Sequence, residues 1–326
     1  MRDVVVKTKA KLGKIPDNEF FLNLARENDY NKKIDIISKK NPSIDQSMDK
    51  RTIERSNFRY IFDELKSINY FLQGIESDFF NLYFSKYEIL FLQEIIEALV
   101  NENFTRNYLD FLANSLSKNF ILQEDMDLEK FVESNKESKY YRTLLPFLNK
   151  NMQKDNLIFL LSNSLMKYYY RSLIKLGKKF PRNEKDKILN FIGEEINLAN
   201  FQMIYRLKNF YDIDDYGIFN YLIAGGNKFN GKRLKELSIL PIEDLLKFVS
   251  AGKYRRIFKN ENNIHKEFRK YQYKLYQSEI TKEESDILYV ISAMNILFIS
   301  GENIEALIEM DDSFSIDERL EYLIVR

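Results

Sequence analysis

One pattern is written three times along this chain, and that repetition limits the fold more than any other feature. The clearest copy runs from Phe191 to Arg206, with Phe201, Ile204 and Tyr205 on one side at the i, i+3, i+4 spacing of a helix face. Acids crowd the start of the stretch, at Glu194 and Glu195, and bases follow its middle, at Arg206 and Lys208. That order reads as the front half of a helix whose charges complement its dipole. Weaker copies run from Lys86 to Ile96 and from Ser300 to Ile308. Aligning Phe91, Asn200 and Asn303 puts Leu92, Phe201 and Ile304 next, then Gln93, Gln202 and Glu305, then Ile95, Ile204 and Leu307 two further on. The aligned positions are 109 and 103 residues apart. One unit of about a hundred residues, copied in tandem, is the simplest source of such self-similarity.

A second mark precedes each copy. A short helix with an acidic start ends in a small or polar break, and a tyrosine then opens another helix. The helices begin near Pro16-Asp17, Asp127 and Pro241, and the tyrosines are Tyr30, Tyr140 and Tyr254. From tyrosine to aligned position the spacing is 61, 60 and 49 residues. Two marks recurring in the same order predict an all-α chain of three similar helical-bundle domains in tandem, over 1–122, 123–226 and 227–326. The boundaries fall at the polar breaks Gln123–Asp125 and Gly225–Gly231.

Composition agrees with helices. The chain has 326 residues with only 10 Gly and 5 Pro, too little punctuation for many short strands. Hydrophobic residues make up 44% and charged residues 30%, enough for several cores and a soluble surface. There is no Cys, which excludes disulfides and thiolate metal sites. Net charge is +1, so overall charge selects neither nucleic acid nor an acidic membrane. Its distribution is uneven: Lys228 to Lys274 carries thirteen bases against five acids, and Gly301 to Arg326 eight acids against two bases. The longest apolar window, Ile287 to Ile299, is shorter than the ~20 residues of a membrane span and predicts a buried core helix. No direct membrane span and no signal peptide are expected. Capping boxes are expected at Thr281–Glu284 and Ser315–Glu318, and an exposed loop over Lys39–Lys50.

These marks resemble a known family, the C-type subunit of bacterial and archaeal V/A-type ATPases, also called C/AC39, whose eukaryotic counterpart is the d-type subunit. The resemblance rests on Tyr87 to Ile95, on Glu195 to Ile204 followed by Tyr205-Arg-Leu-Lys208, and on Glu302 to Ile308 before a short capped final helix. The Gly-Gly loop after Tyr221-Leu-Ile223 is also similar to the family's middle-to-last connection. Phe91 departs from the usual Asn, and Gln93, Gln202 and Glu305 stand where bases are common. The resemblance implies a pseudo-threefold funnel on the cytoplasmic face of the membrane, peripheral to it. Its implied partners are the central-stalk subunits of the D and F type and the membrane proteolipid rotor ring. It implies a non-catalytic rotor part, with no cofactor and no nucleotide, that couples ATP hydrolysis or synthesis to proton or sodium transport. Partner contacts are expected at Arg206, Lys208, Arg255 and Arg256, which follow the repeat marks.

Residue types that carry chemistry occur, but not in the settings that chemistry needs. Gly226-x4-Gly231-Lys232 has the spacing of a phosphate-cradling loop, but Arg233 stands where Ser or Thr would hold magnesium. A polar connecting loop is the preferred reading. His265, the only histidine, has no second histidine for a zinc site and reads as an exposed helix residue. Glu194-Glu195 and Asp311-Asp312 are neighbours in sequence and so do not face one another on a helix. Tyrosines interleave with bases at Tyr168–Arg171, Tyr254–Arg256 and Arg269–Lys274, which is how single-stranded nucleic acid can be held. Core packing is the preferred use, and no nucleic-acid partner is expected. The competing reading is a helical-repeat scaffold for another partner, RNA among them.

Overall fold

The computed structural model describes residues 2–105, 120–148, 152–211, 213–257 and 264–324. No strand occurs among the described residues, so the chain is all-α as its sequence predicts. In chain order the helices are α1 (Arg2–Leu12), α2 (Asn18–Arg26), α3 (Tyr30–Ser38), α4 (Lys50–Asn69), α5 (Gly74–Val100), α6 (Leu128–Ser134), α7 (Tyr141–Leu144) and α8 (Lys154–Gly177). Then follow α9 (Arg182–Phe210), α10 (Asp215–Ile218), α11 (Gly231–Ser238), α12 (Ile242–Ser250), α13 (Ile264–Lys282), α14 (Asp286–Glu309) and α15 (Ile316–Tyr322). Two compact units result: Met1–Ser77 with Glu243–Arg326, and Asp78–Ile242. Compactness and internal repetition are separate properties, and this division reports the first.

The first unit is built around α14. This helix is apolar on nearly all sides and buried from Ile287 to Ile308, the pattern of a central core helix. It is long and apolar enough to cross a membrane, yet 83% of its apolar window is buried inside the protein. Helices α1, α4 and α13 pack along it. At Gly301 α4 comes so close that an added Cβ would stand 2.6 Å from Ile61 Cδ1. Helix α1 is not apparent in the sequence: three β-branched valines and alternating lysines give a weak period, and burial of Val4 and Thr8 holds it.

Two buried cations join the ends of the chain within this unit. Lys33 donates to Leu307 O (2.9 Å) and Met310 O (2.8 Å), satisfying carbonyls at the C-terminus of α14. Burial pushes its ammonium pKa down. Arg319 of α15 donates to Ala25 O (2.9 Å), Glu27 O (3.3 Å) and Asn28 Oδ1 (2.8 Å) at the end of α2 and just beyond it, and to Asp311 O (2.7 Å). Cations are favoured at helix C-termini by the dipole, and here they also fill otherwise unpaired acceptors. The 39–50 segment is mostly exposed, as expected, except that Asn41 is buried and Ile44 enters the core formed by Phe21, Leu24, Ile34 and Leu307.

Capping sets several helix starts. Asp17, Asp29, Asp49 and Asp127 each accept from the backbone N–H three residues on. The Ser315–Glu318 capping box forms as expected. The one expected at Thr281 does not: that hydroxyl donates back to Gln277 O inside α13, and Ser285 caps α14 instead. Tyr254 does not open a helix either. It is buried in a run of turns over 251–257.

The second unit centres on α8 and α9, packed side by side, with α5 alongside. Helix α9 starts nine residues before Phe191, because Pro181 sets its entry and Glu184 lies in the first turn. Glu194 and Glu195 therefore sit mid-helix and buried, not at a dipole-favoured start. Glu195 Oε1 accepts from the Tyr83 hydroxyl at 2.5 Å, and Tyr169 donates to Tyr83 O at 2.8 Å. Burial, and then the charge of Glu195, push the Tyr170 pKa up and keep that phenol protonated.

Candidate functional site

The aligned asparagines perform a similar task, with two hydrogen bonds at Asn200 and one at Asn303. In the second unit Asn200 on α9 donates to Ile223 O (2.8 Å) and accepts from Ile223 N–H (2.7 Å). In the first unit Asn303 on α14 accepts from Ile324 N–H at 2.9 Å. Each is buried mid-helix, and each clamps a returning stretch of chain about twenty residues later. The clamped segments are Tyr221-Leu222-Ile223 and Tyr322-Leu323-Ile324, with Leu222 and Leu323 both buried. The repeat pattern aligns the asparagines but not these tripeptides, although they recur at nearly the same offset. A phenylalanine at position 91 cannot make such a clamp.

The glycine-rich loop serves this packing. Gly226 lies so close to α9 that an added Cβ would collide with Asn197 Oδ1 and stand 2.8 Å from Phe229 O. Asn197 Nδ2 donates to Asn227 Oδ1 at 2.5 Å. Gly225 has φ +110° and Gly231 φ +45°, a region that favours glycine. Lys232 points away, 92% exposed, with Glu236 3.9 Å from its ammonium. Gly226 is thus accounted for by close approach of loop to helix, and Gly231, which has open space around it, by its positive φ.

The four expected partner contacts differ in setting. Arg206 is exposed near the end of α9, and Phe210 and Tyr216, each 71% exposed, occupy the same end of the second unit. Lys208 is only 5% exposed and forms an ion pair with Asp215, bracing the end of α9 against α10. Arg255 and Arg256 lie in the first unit, exposed on the turn between α12 and α13. There they join Lys253, Lys270 and Lys274 around a concavity of about 510 Å³. His265 is exposed, as expected. No group of three or more His, Asp or Glu able to hold a metal occurs among the described residues.

Comparison with known sequences places this architecture. The family described as ATP synthase (C/AC39) subunit matches residues 4–310. The chain belongs to that family. It is similar to the C-type subunit of the A-type ATP synthase of Methanosphaera stadtmanae, 24% identical over 262 residues, covering 77% of this chain and 66% of that one. The same subunit of Methanococcoides burtonii is 22% identical over 232 residues, covering 70% and 61%. That of Archaeoglobus fulgidus is 31% identical over 122 residues, covering 37% and 33%. The matched regions thus span one third to just under two thirds of these relatives. The C/AC39 match covers all three copies of the repeated pattern and both clamping asparagines, and ends before the clamped segment Tyr322-Leu323-Ile324.

Proposed function

We propose that this C/AC39 chain is a non-catalytic central-rotor subunit, seated between the central stalk and the membrane proteolipid ring of an A/V-type ATPase. It would sit on the cytoplasmic face and pass torque during ATP-driven ion transport or ATP synthesis. The observation that carries the reading is the repeated asparagine clamp in a chain of this family. It supports tandem copying over 1–122, 123–226 and 227–326, and tandem copies suit a pseudo-threefold funnel. Lys33 and Arg319 add to this, because a closed body requires first and last copies to be fastened together. Torque transmission demands that such joints resist opening, and buried, fully directed hydrogen bonds meet that demand.

Arg206, with exposed Phe210 and Tyr216, and Arg255 with Arg256 are the surfaces assigned to the D- and F-type stalk subunits. Lys208 contributes by holding the end of α9 in place. The test is co-elution of the purified chain with the purified stalk pair on size exclusion. Co-elution is expected, and Arg206→Glu or the double change Arg255→Glu/Arg256→Glu should weaken it at least tenfold with helix content unchanged. Separate elution of chain and stalk would refute the coupling role; co-elution indifferent to both charge reversals would refute the residue assignment.

A further inference from the structure

The concavity beside Arg255 and Arg256 has the properties of a ligand site in its own right. Helix α13 contributes Glu267, Lys270, Tyr271 and Lys274 to its lining, spaced i, i+3, i+4, i+7 and so sharing a face. The rest of the lining is the turn over 251–257, which carries Lys253, Arg255 and Arg256. Buried Tyr254 fixes that turn, its ring 5.3 Å from that of Tyr271, and backbone bonds from Arg255 N–H to Gly252 O and Ile257 N–H to Tyr254 O tighten it. Five cations from two elements therefore line the concavity, and the one carboxylate among its described lining residues, Glu267, is already paired with Lys270 at 3.1 Å. Arg255, Arg256 and Lys274 have no carboxylate within ion-pair distance among the described residues.

Like charges held together repel, and the repulsion is relieved when an anion enters. The volume lies within the ~300–1,000 Å³ typical of small-molecule sites. A compact ligand with several negative charges suits it better than a single carboxylate does. Guanidinium forks match the oxygens of phosphate, and lysine ammonium groups add point charge. We propose that this concavity binds a small polyphosphate, as free tripolyphosphate or as the phosphate tail of a nucleotide. The proposal goes beyond the coupling role; it shares Arg255 and Arg256 with the stalk surface assigned above, and titration of the chain without stalk subunits reads it separately from the co-elution test.

The experiment is isothermal titration of the purified full-length chain, without other subunits, with tripolyphosphate, ATP, ADP and inorganic phosphate in turn. Affinity is expected to fall in the order tripolyphosphate or ATP, then ADP, then phosphate, and to weaken as NaCl is raised. Equal affinity for tripolyphosphate and ATP would identify the phosphates alone as the ligand; tighter binding of ATP would identify the nucleotide. Arg255→Gln/Arg256→Gln and, separately, Lys274→Gln should each weaken binding at least tenfold, whereas Arg233→Gln, outside the concavity, should leave it within twofold. No heat with tripolyphosphate at millimolar concentration would overturn the proposal. So would equal loss in the Arg233→Gln control, or equally tight binding of an oligoglutamate peptide. Unchanged far-ultraviolet circular dichroism in each variant separates lost binding from lost folding.

Discussion

Glu305 holds a proton where a glutamate ordinarily does not, and this makes the core of the first unit sensitive to pH. Burial comes first, and the carboxylates of Glu54 and Glu302 add to it; together they raise its pKa from 4.5 to about 7, against the lowering effect of the Asn57 hydrogen bond. Asn57 on α4 donates to Glu305 Oε1 at 2.9 Å and to Gly301 O at 3.3 Å, beside the close approach of α4 to Gly301 of α14. The nearby cation, Arg269 of α13, is engaged by both oxygens of Glu302. The folded chain therefore keeps a proton that the unfolded chain gives up. Stability conferred by this proton is full below about pH 4.5, falls as pH rises to about 7, and is flat above that. At about 1.4 kcal/mol for each pKa unit the ceiling is roughly 3 kcal/mol, and residual solvent contact of the side chain brings it to the order of 1–2 kcal/mol. Glu305→Gln keeps an oxygen to accept from Asn57 and abolishes the titration. Urea unfolding followed by far-ultraviolet circular dichroism from pH 5 to pH 8 should show the variant gaining on the parent by that amount as pH rises. Parallel stability curves across this range would refute the reasoning, as would a variant less stable at pH 8.

Three further outcomes follow from the packing. Arg319→Ala should cost about 3–5 kcal/mol, because it empties the space of a buried side chain and strands the buried carbonyl of Ala25 and the partly buried ones of Glu27 and Asp311; a drop in Tm of only a degree or two would contradict this. Asn200→Ala should cost about 1–3 kcal/mol by leaving both backbone groups of Ile223 unpaired, while Gln202→Ala on the same helix should cost less than about 1 kcal/mol; thermal melts of the pair compare them directly. Gly226→Ala should destabilise by about 1–3 kcal/mol through its clash with Asn197, whereas Lys232→Ala should fall within about 0.5 kcal/mol of the parent; the reverse order would reopen the phosphate-loop reading.

Much of the fold was legible in the chain, and the exceptions share a cause. Helical periodicity located α8, α9 and α14, and acidic starts located α2 and α12, because these signals are local. Buried cations are not local. Lys33 and Arg319 read as surface residues until the fold brings helix ends to them from partners 274 and 294 positions away. Glu194 and Glu195 misled in the same manner, as they read as a helix start but lie buried in mid-helix, where Tyr83 donates to Glu195 from α5. The Tyr-Leu-Ile echo is plain in the sequence, but it acquires meaning only because Asn200 and Asn303 hold the two copies. At the candidate site, the repeat marks pointed to Arg255 and Arg256 but not to Lys270 and Lys274, whose part in the concavity depends on how α13 faces the turn.

Affinity purification of the tagged chain from membranes of its own organism, solubilised in mild detergent, tests the coupling role most directly. Catalytic, stalk and proteolipid-ring subunits of a rotary ATPase are expected to be recovered together with it in one particle. Recovery of the chain alone, or with RNA and without those subunits, would contradict that role.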